Sequence, residues 1–335
     1  MPKSIEIAVT DMHTGGEPVR IVTAGWPDVP GDTILEMRAH VRAHHDHYRK
    51  FLMFEPRGHA DMYGVLPVAP SHPQADLAVL FMHNEGWSTM CGHAVIALGR
   101  WAVDEGLVAA VEPVTIVKIE CPCGLVVATV EIDGGRAGAV SFESVPSFLL
   151  AGDRAVELQA HGTVAFDVAY GGAFYAIADC RQFGLEFGRS PARSFVDAAT
   201  ALSAAVREAV PLSHPASPDL AFLYGSILTD GGDGRSQPTR NVCVFAEAEV
   251  DRSPTGSGVT ARLAAMHAKG EIELNEERTF ESIVGSRFSG SVVRETREGP
   301  HAAIVANVGG RAFYSGSAEF RLEEGDELGQ GFLVR

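Results

Sequence analysis

Two segments in different halves of the chain share one plan: a strand-like stretch, a polar glycine-containing turn and an apolar helical pattern. In the first segment Cys91-Gly92 precedes the apolar run, and in the second Thr255-Gly256 does so. These two positions lie 164 residues apart (255 − 91), which is about half of the 335 residues. The spacing predicts two similar α/β halves, each presenting the N-terminus of a helix.

Each of these helix starts is a candidate binding site for an anion. The first N–H groups of a helix have no acceptor within the helix, and the helix dipole adds partial positive charge there. A cysteine at such a position is favoured as the thiolate, which makes Cys91 a candidate base or nucleophile. His93 offers a donor or acceptor beside it. Two facing helix starts of this kind would suit a small carboxylate.

The composition excludes several classes of protein. The chain has 43 acidic and 27 basic residues and a formal charge of −16, which argues against nucleic acid or an anionic membrane surface as partner. No segment reaches the roughly 18–20 apolar residues of a membrane span, and the first residues lack the pattern of a signal peptide. Five cysteines, an odd number, indicate free thiols and a cytoplasmic location.

The remaining patterns predict mostly strands. They cover residues 4–9, 19–23, 76–83, 114–120, 125–132, 139–142, 164–169, 174–179, 219–228, 240–245, 280–284, 290–294, 302–308, 311–320 and, near the end of the chain, 328–334. Two further helices are predicted, over Thr33–Met53 and Ser194–Val210. Thr33 and Glu36 have the spacing of a capping box at the start of the first.

Three other groups of residues are candidates for binding. His13 and Glu17 lie in a glycine-rich stretch at 11–18 that is predicted to be a loop. Four histidines lie on the predicted 33–53 helix: His40, His44, His45 and His47. Cys121-Pro122-Cys123 has a metal-like spacing. For the histidines and the cysteines we favour a solvated helix face and a turn, because neither group has the further ligands of a metal site.

Several motifs resemble those of the proline racemase family. They are Asp11-x-His13-Thr14-Gly15-Gly16-Glu17, Glu55-Pro56-Arg57-Gly58, Met90-Cys91-Gly92-His93 and Asp251-Arg252-Ser253-Pro254-x-Gly256. The resemblance implies an α/β fold of the diaminopimelate-epimerase type, with two pseudo-symmetric domains, each a mostly antiparallel barrel-like sheet around a central helix. We expect the first domain to cover 1–138 and 322–335, and the second 139–321. The resemblance also implies a homodimer, and an active site in the interdomain cleft without metal, pyridoxal phosphate or nicotinamide.

The same resemblance implies which residues contact the substrate. Those that match the family's contact residues are Cys91, Gly92, His93, Asp251, Gly256 and Ser257. The N–H groups of the helix starts are expected to bind the carboxylate: Gly92, His93, Ala94, Val95 and Ile96 in one, Gly256 and Ser257 in the other. Asp251 is expected to accept from the ring ammonium group.

Thr255 departs from the family pattern, since the racemases and 4-hydroxyproline epimerases carry a second cysteine there. Inverting Cα without a cofactor requires an acid/base group on each face of the substrate, and a threonine hydroxyl is too weak for that role. The Cys91/Thr255 pairing resembles the branch that dehydrates trans-3-hydroxy-L-proline. Cys91 is then the base that removes the α-proton, and Thr255 shapes the opposite face or holds a water.

Three alternatives stay open. A racemase or 4-hydroxyproline epimerase would need a water relayed through Thr255. A cysteine hydrolase would pair Cys91 with His93, although residues two apart at a helix start rarely form a nucleophile–base pair and no orienting group is evident. A non-catalytic amino-acid-binding protein would need neither the water relay nor the nucleophile–base pair.

Overall fold

The chain divides into two structural units. The computed structural model describes residues 5–334, so that Ser4 of the first predicted strand lies outside the described residues. One unit runs up to Val140 and resumes at Arg311, and the other is Ser141–Gly310. Within residues 5–334, every helix is too short or too polar to span a membrane.

Strands make up most of the regular structure. They are β1 (Ile5–Thr14), β2 (Glu17–Ala24), β3 (Tyr63–Val68), β4 (Leu77–His83), β5 (Gly86–Ser88), β6 (Val114–Cys121), β7 (Gly124–Asp133), β8 (Arg136–Glu143), β9 (Phe148–Leu158), β10 (Gly162–Tyr170), β11 (Phe174–Asp179), β12 (Leu223–Thr229), β13 (Thr239–Phe245), β14 (Glu249–Asp251), β15 (Glu277–Glu281), β16 (Arg287–Glu298), β17 (His301–Gly310) and β18 (Ala312–Leu322). The α-helices are α1 (Ile34–His40), α2 (Asp46–Met53), α3 (Gly92–Asp104), α4 (Ala192–Ala209) and α5 (Gly256–Ala268).

Each unit is built around one buried helix. In the first unit α3 packs against β1, β2, β6, β7 and β18, and in the second α5 packs against β9, β10, β11, β16 and β17. Eleven of the thirteen residues of each helix are buried, as expected for a helix that is apolar on all sides. Hairpin neighbours such as β1–β2, β6–β7 and β16–β17 pair antiparallel. Each of the two central helices is thus packed against strands of its own unit.

The stretch predicted as a loop at 11–18 is almost entirely strand. β1 continues to Thr14 and β2 begins at Glu17, and these two residues pair across the turn. Gly15 and Gly16 form the turn with φ values of 62° and 90°, which glycine adopts without steric strain. The loop prediction was wrong because two glycines suffice to reverse the chain. The polar residues on either side of them can therefore remain paired in the two strands.

The helix predicted over Thr33–Met53 is interrupted. A π-helical turn at Val41–His45 separates α1 from α2. The predicted capping box is confirmed, since the Thr33 hydroxyl accepts from the Glu36 N–H group and the Glu36 carboxylate accepts from the Thr33 N–H group, each at 3.2 Å. The start of the helix was therefore readable from local sequence, whereas the π-helical turn was not predicted.

Some strand predictions also need correction. The stretch predicted at 328–334 contains only an isolated bridge, between Phe332 and Glu55. The strand predicted to begin at Asp219 begins at Leu223, because residues 218–220 form a 3₁₀ turn. β3, β5, β9 and β14 were not predicted.

Candidate active site

Cys91 occupies the N-cap position of α3. Its backbone is extended, with φ −147° and ψ 104°, and the Ala94 N–H group donates to its Sγ atom at 3.4 Å. The residue is 4% exposed. The thiol therefore takes the place of the oxygen of an ordinary capping side chain, at the positive end of the helix dipole.

His93 forms a hydrogen-bonded pair with Cys91. The Cys91 Sγ atom lies 3.1 Å from His93 Nδ1 and 3.6 Å from Nε2. On its other side, His93 Nε2 lies 3.3 Å from the Pro18 carbonyl oxygen. A carbonyl can only accept, so Nε2 carries the hydrogen and Nδ1 of the neutral ring is the acceptor that faces the thiol. This tautomer lets His93 take the proton of Cys91.

Residues two apart at a helix start were expected to form a nucleophile–base pair only rarely, yet Cys91 and His93 are hydrogen-bonded, and the structure supplies an orienting group that was not evident in the sequence. The turn at the start of α3 folds the imidazole back onto Sγ, and the β1–β2 hairpin supplies the Pro18 carbonyl. The Tyr63 ring also packs edge-on against His93, with ring centroids 5.0 Å apart, and its hydroxyl is hydrogen-bonded to that of Ser88. A backbone carbonyl leaves no side-chain signal in the sequence.

Three of the other cysteines, Cys121, Cys123 and Cys180, have environments that favour the neutral thiol. Burial raises the pKa of Cys123 to about 12 and that of Cys180 to about 11. Burial, with the nearby Cys123, Cys91 and Glu120, also raises the pKa of Cys121 well above its ordinary value. Pro122 and Cys123 form the turn between β6 and β7, as predicted. Among these thiols, Cys91 is the one placed at a helix start beside a base.

The start of α3 offers fewer N–H groups than the sequence suggested. The Val95 N–H group donates to the Cys91 carbonyl oxygen at 3.0 Å, which is the first bond of the helix. The Ile96 N–H group lies one residue further into the hydrogen-bonded helix. Gly92 and His93 precede that first bond, and Ala94 donates to the sulfur. The candidate donors for a carboxylate are therefore the N–H groups of Gly92 and His93.

Thr255 precedes α5 in a strained conformation. Its φ is 67° and its ψ is 93°, and a positive φ is rare for a β-branched residue. The residue is 4% exposed, and among the described residues its Oγ1 atom has no hydrogen-bond partner. Strain and an unsatisfied buried hydroxyl both cost stability, and such costs cluster at functional sites.

The second unit gathers the remaining predicted site residues around Thr255. The Thr255 carbonyl accepts the first helical bond from Val259 at 2.7 Å, so Gly256 and Ser257 precede that bond. The Ser257 hydroxyl lies 2.7 Å from the Tyr175 hydroxyl. Asp251, at the end of β14, accepts from the Ser253 N–H group at 2.7 Å, which orders the turn into the helix. The start of α5 thus presents two N–H groups like those of α3, but it lacks both the thiol and the side-chain cap.

The other candidate groups have identifiable surroundings. His13 stacks on Phe313 with ring centroids 5.5 Å apart, and Glu17 is fully buried. His40 and His44 lie against each other, with ring centroids 4.7 Å apart. Among residues 5–334, no three His, Cys, Asp or Glu side chains are grouped as a metal ion would require.

Comparison with known proteins matches residues 9–333 to the family described as proline racemase. The chain is 54% identical over 332 residues to trans-L-3-hydroxyproline dehydratase of Xenopus tropicalis, covering 98% of this chain and 95% of that protein. It is 53% identical over 340 residues to trans-3-hydroxy-L-proline dehydratase of Homo sapiens, covering 100% and 96%.

A solved structure agrees with these matches. The crystal structure of a hydroxyproline epimerase from Agrobacterium vitis, with bound trans-4-OH-L-proline, is 29% identical with a TM-score of 0.92, and the match covers 98% of this chain and 96% of that one. The predicted fold class is therefore confirmed. Cys91 and Thr255 lie at the starts of the two central helices of that fold. The chain belongs to the proline racemase family.

Proposed function

We propose that the protein dehydrates trans-3-hydroxy-L-proline to Δ1-pyrroline-2-carboxylate without a cofactor. The observation that carries this proposal is the Cys91–His93 pair at the start of α3, in a chain with threonine where the racemases have their second thiol. The names of the relatives from Xenopus tropicalis and Homo sapiens support it.

The first step is removal of the α-proton. His93 Nδ1 takes the Cys91 proton, and the resulting thiolate is stabilised by the imidazolium and by the Ala94 N–H group. The thiolate then removes the proton from Cα, and the electron pair of that bond passes into the carboxylate as negative charge. Donors aimed at the carboxylate stabilise this charge as it develops.

The substrate contacts are assigned to the helix starts. In the first unit the N–H groups of Gly92 and His93 are the donors for the carboxylate, and in the second unit those of Gly256 and Ser257 have the same character. Asp251 is assigned to the ring ammonium group on the family resemblance, and its buried carboxylate lies in the turn that leads into α5.

The second step is loss of the hydroxyl group. In trans-3-hydroxy-L-proline the carboxylate and the 3-hydroxyl lie on opposite faces of the ring, so the α-hydrogen and the hydroxyl share a face. The electron pair at Cα forms the Cα–C3 double bond, the C3–O bond breaks, and the leaving oxygen takes a proton from the Cys91 thiol to leave as water. The resulting enamine tautomerises to Δ1-pyrroline-2-carboxylate.

The second candidate function is epimerisation of a hydroxyproline. The likeness to the hydroxyproline epimerase from Agrobacterium vitis favours it. It requires a proton donor on the ring face opposite Cys91, and a threonine hydroxyl does not supply one without an activating group. Thr255 has no hydrogen-bond partner for its hydroxyl among the described residues, which argues for dehydration.

A substrate panel tests the proposal. The purified protein is incubated without added cofactor with trans-3-hydroxy-L-proline, trans-4-hydroxy-L-proline and L-proline, and the products are identified by proton NMR and chiral chromatography. We expect pyrroline-carboxylate from the first substrate and no D-epimer from any. A D-epimer as the main product would establish the epimerase instead, and no turnover with retained binding would indicate a binding protein.

A cytoplasmic location is part of the proposal. All five cysteines are free thiols, which is typical of a reducing compartment. A homodimer is proposed on the family resemblance alone, and sedimentation of the purified protein would test it.

A further inference from the structure

Thr14, the last residue of β1, carries a hydroxyl that the fold leaves unsatisfied. Its side chain is fully buried, and its Oγ1 atom has no hydrogen-bond partner among the described residues. A buried hydroxyl without a partner reduces stability, and native proteins retain few of them. Valine has nearly the same shape without this cost, so the hydroxyl at this position requires an explanation outside the fold.

The Thr14 side chain lies on the face of the β1–β2 hairpin that is covered by α3. Side chains alternate between the two faces of a strand, and Ile7 and Val9 belong to a core that also contains residues of α1 and α2. Met12 and Thr14 have the other parity and therefore lie on the opposite face, and the helix that packs against β1 and β2 there is α3. His13 lies on the same face of β1 as Val9, and therefore on the face opposite to Thr14.

The end of this hairpin reaches the start of α3. Thr14 pairs with Glu17 across the turn, and the next residue, Pro18, accepts from His93 through its carbonyl oxygen at 3.3 Å. His93 in turn lies 3.1 Å from the Cys91 sulfur. Directly opposed strand residues have Cβ atoms about 5 Å apart. Thr14 is thus connected to the Cys91–His93 pair through Glu17 and Pro18 of the same hairpin.

The stereochemistry of the substrate decides what this hydroxyl can bind. The base that removes the α-hydrogen, Cys91, lies on one face of the ring, and the 3-hydroxyl of the trans isomer projects from that same face. The leaving group therefore points toward the first unit, where the Thr14 hydroxyl has an unused donor and acceptor. We propose that Thr14 binds the 3-hydroxyl group of the substrate.

This assignment rests on the proposed dehydratase function and adds a role in the second step of the reaction. A hydrogen bond from Thr14 to the leaving oxygen orients the C3–O bond for cleavage and stabilises negative charge on that oxygen until it is protonated. It makes no contribution to removal of the α-proton. The two steps should therefore respond differently to loss of this hydroxyl.

The test compares Thr14→Val, which removes the hydroxyl and keeps the shape, with Thr14→Ser, which keeps the hydroxyl. Each purified full-length variant is incubated with trans-3-hydroxy-L-proline in heavy water, and formation of pyrroline-carboxylate and deuterium at Cα of the remaining substrate are followed by NMR. For Thr14→Val we expect dehydration to fall about 10- to 100-fold. The remaining substrate should accumulate more deuterium per dehydration event than with the unmodified protein. Thr14→Ser should stay within about threefold of the unmodified protein.

Stability provides an independent readout. Because valine removes an unsatisfied buried hydroxyl, Thr14→Val should melt at the same temperature as the unmodified protein or higher. A structural role for Thr14 would instead lower the melting temperature and reduce exchange and dehydration together, and that result would overturn the assignment. If Thr14→Val does not fold, Thr14→Ala provides the same comparison. Absence of dehydration by the unmodified protein would refute the proposed function itself. An unchanged ratio of deuterium exchange to dehydration in Thr14→Val would refute only the role of Thr14.

Discussion

The Sγ atom of Cys91 lies 3.1 Å from Nδ1 of His93, inside the first turn of the helix that both residues begin. The hydrogen bond between His93 Nε2 and the Pro18 carbonyl fixes which nitrogen faces the sulfur. His93 is therefore held by two elements that are far apart in the sequence, α3 and the β1–β2 hairpin. This arrangement makes the thiol and the imidazole one proton-transfer unit.

His93→Gln should show whether His93 is required to form the Cys91 thiolate. The variant loses the acceptor for the Cys91 proton, and removal of a positioned acid/base group typically costs about 10²- to 10⁴-fold in rate. We expect kcat to fall by such a factor with a smaller change in KM. The ultraviolet absorbance of the thiolate should be lost in parallel. Retention of that absorbance would show that the helix start alone forms the thiolate.

Cys91→Ser should abolish dehydration and leave binding intact. A serine hydroxyl at the same N-cap position cannot act as the base at neutral pH, but it preserves the cap and the N–H groups around it. Calorimetric titration with pyrrole-2-carboxylate, a planar ring carboxylate that resembles the deprotonated substrate, measures the binding. Cys123→Ser is the matched control, because burial raises the pKa of this nearby thiol to about 12. That control should keep full activity, and equal losses in both variants would contradict the role of Cys91.

The sequence predicted the elements that depend on local patterns. The two buried helices, the capping box at Thr33 and most of the strands follow from periodicity and end signals that lie within a few residues of each other. The partners of His93 could not be predicted in this way. Pro18 contributes a carbonyl oxygen and Tyr63 contributes a ring edge, and both reach the site only through pairing of distant strands.

The strained backbone of Thr255 was equally invisible in the sequence. The match of Gly256 to Gly92 suggested equivalent helix starts, yet the preceding residues differ, with φ −147° at Cys91 and 67° at Thr255. Local composition does not encode this difference. It results from the turn that leads into α5, where the Ser253 hydroxyl accepts from the Thr255 N–H group at 3.1 Å.

Arg20 should be the main polar anchor of the β1–β2 hairpin. Its guanidinium donates twice to the Asp11 carboxylate, at 2.9 Å each, and to the carbonyl oxygens of Leu52 and Arg57 at 2.8 and 2.6 Å. Arg20→Met removes one partner of a largely buried pair, and we expect the free energy of unfolding to fall by about 3 kcal/mol. Denaturant titration measures this change.

The control for Arg20 is an exposed ion pair of the same type. In α4, Arg193 and Asp197 pair at 2.8 Å with both side chains largely in solvent. Arg193→Met should change the free energy of unfolding by less than about 1 kcal/mol. Similar losses in the two variants would show that burial is not what makes the Arg20 contacts stabilising.

His214 should make the protein less stable in mild acid. Burial, and then the neighbouring His301, lower the pKa of His214 from its ordinary value of 6.5. The unfolded chain therefore binds a proton at His214 before the folded chain does, so stability falls as the pH decreases from about 6.5. Between pH 7 and pH 5, the melting temperature of His214→Phe should decrease less than that of the unmodified protein. The exposed His59 provides the control, and His59→Phe should reproduce the pH dependence of the unmodified protein.

Thr255→Cys should convert the site from elimination toward inversion. A thiol at this position supplies the second acid/base group that the racemases use, and the carbanion formed by Cys91 can then be protonated on the opposite face. With trans-4-hydroxy-L-proline, which has no leaving group at C3, we expect the variant to form the D-epimer, measured by chiral chromatography. Thr255→Gly is the paired variant, since glycine accepts a φ of 67° without strain. It should be as stable as the unmodified protein or more so, and it should form no epimer. Epimer formation by Thr255→Gly would show that a water, and not the new thiol, delivers the proton.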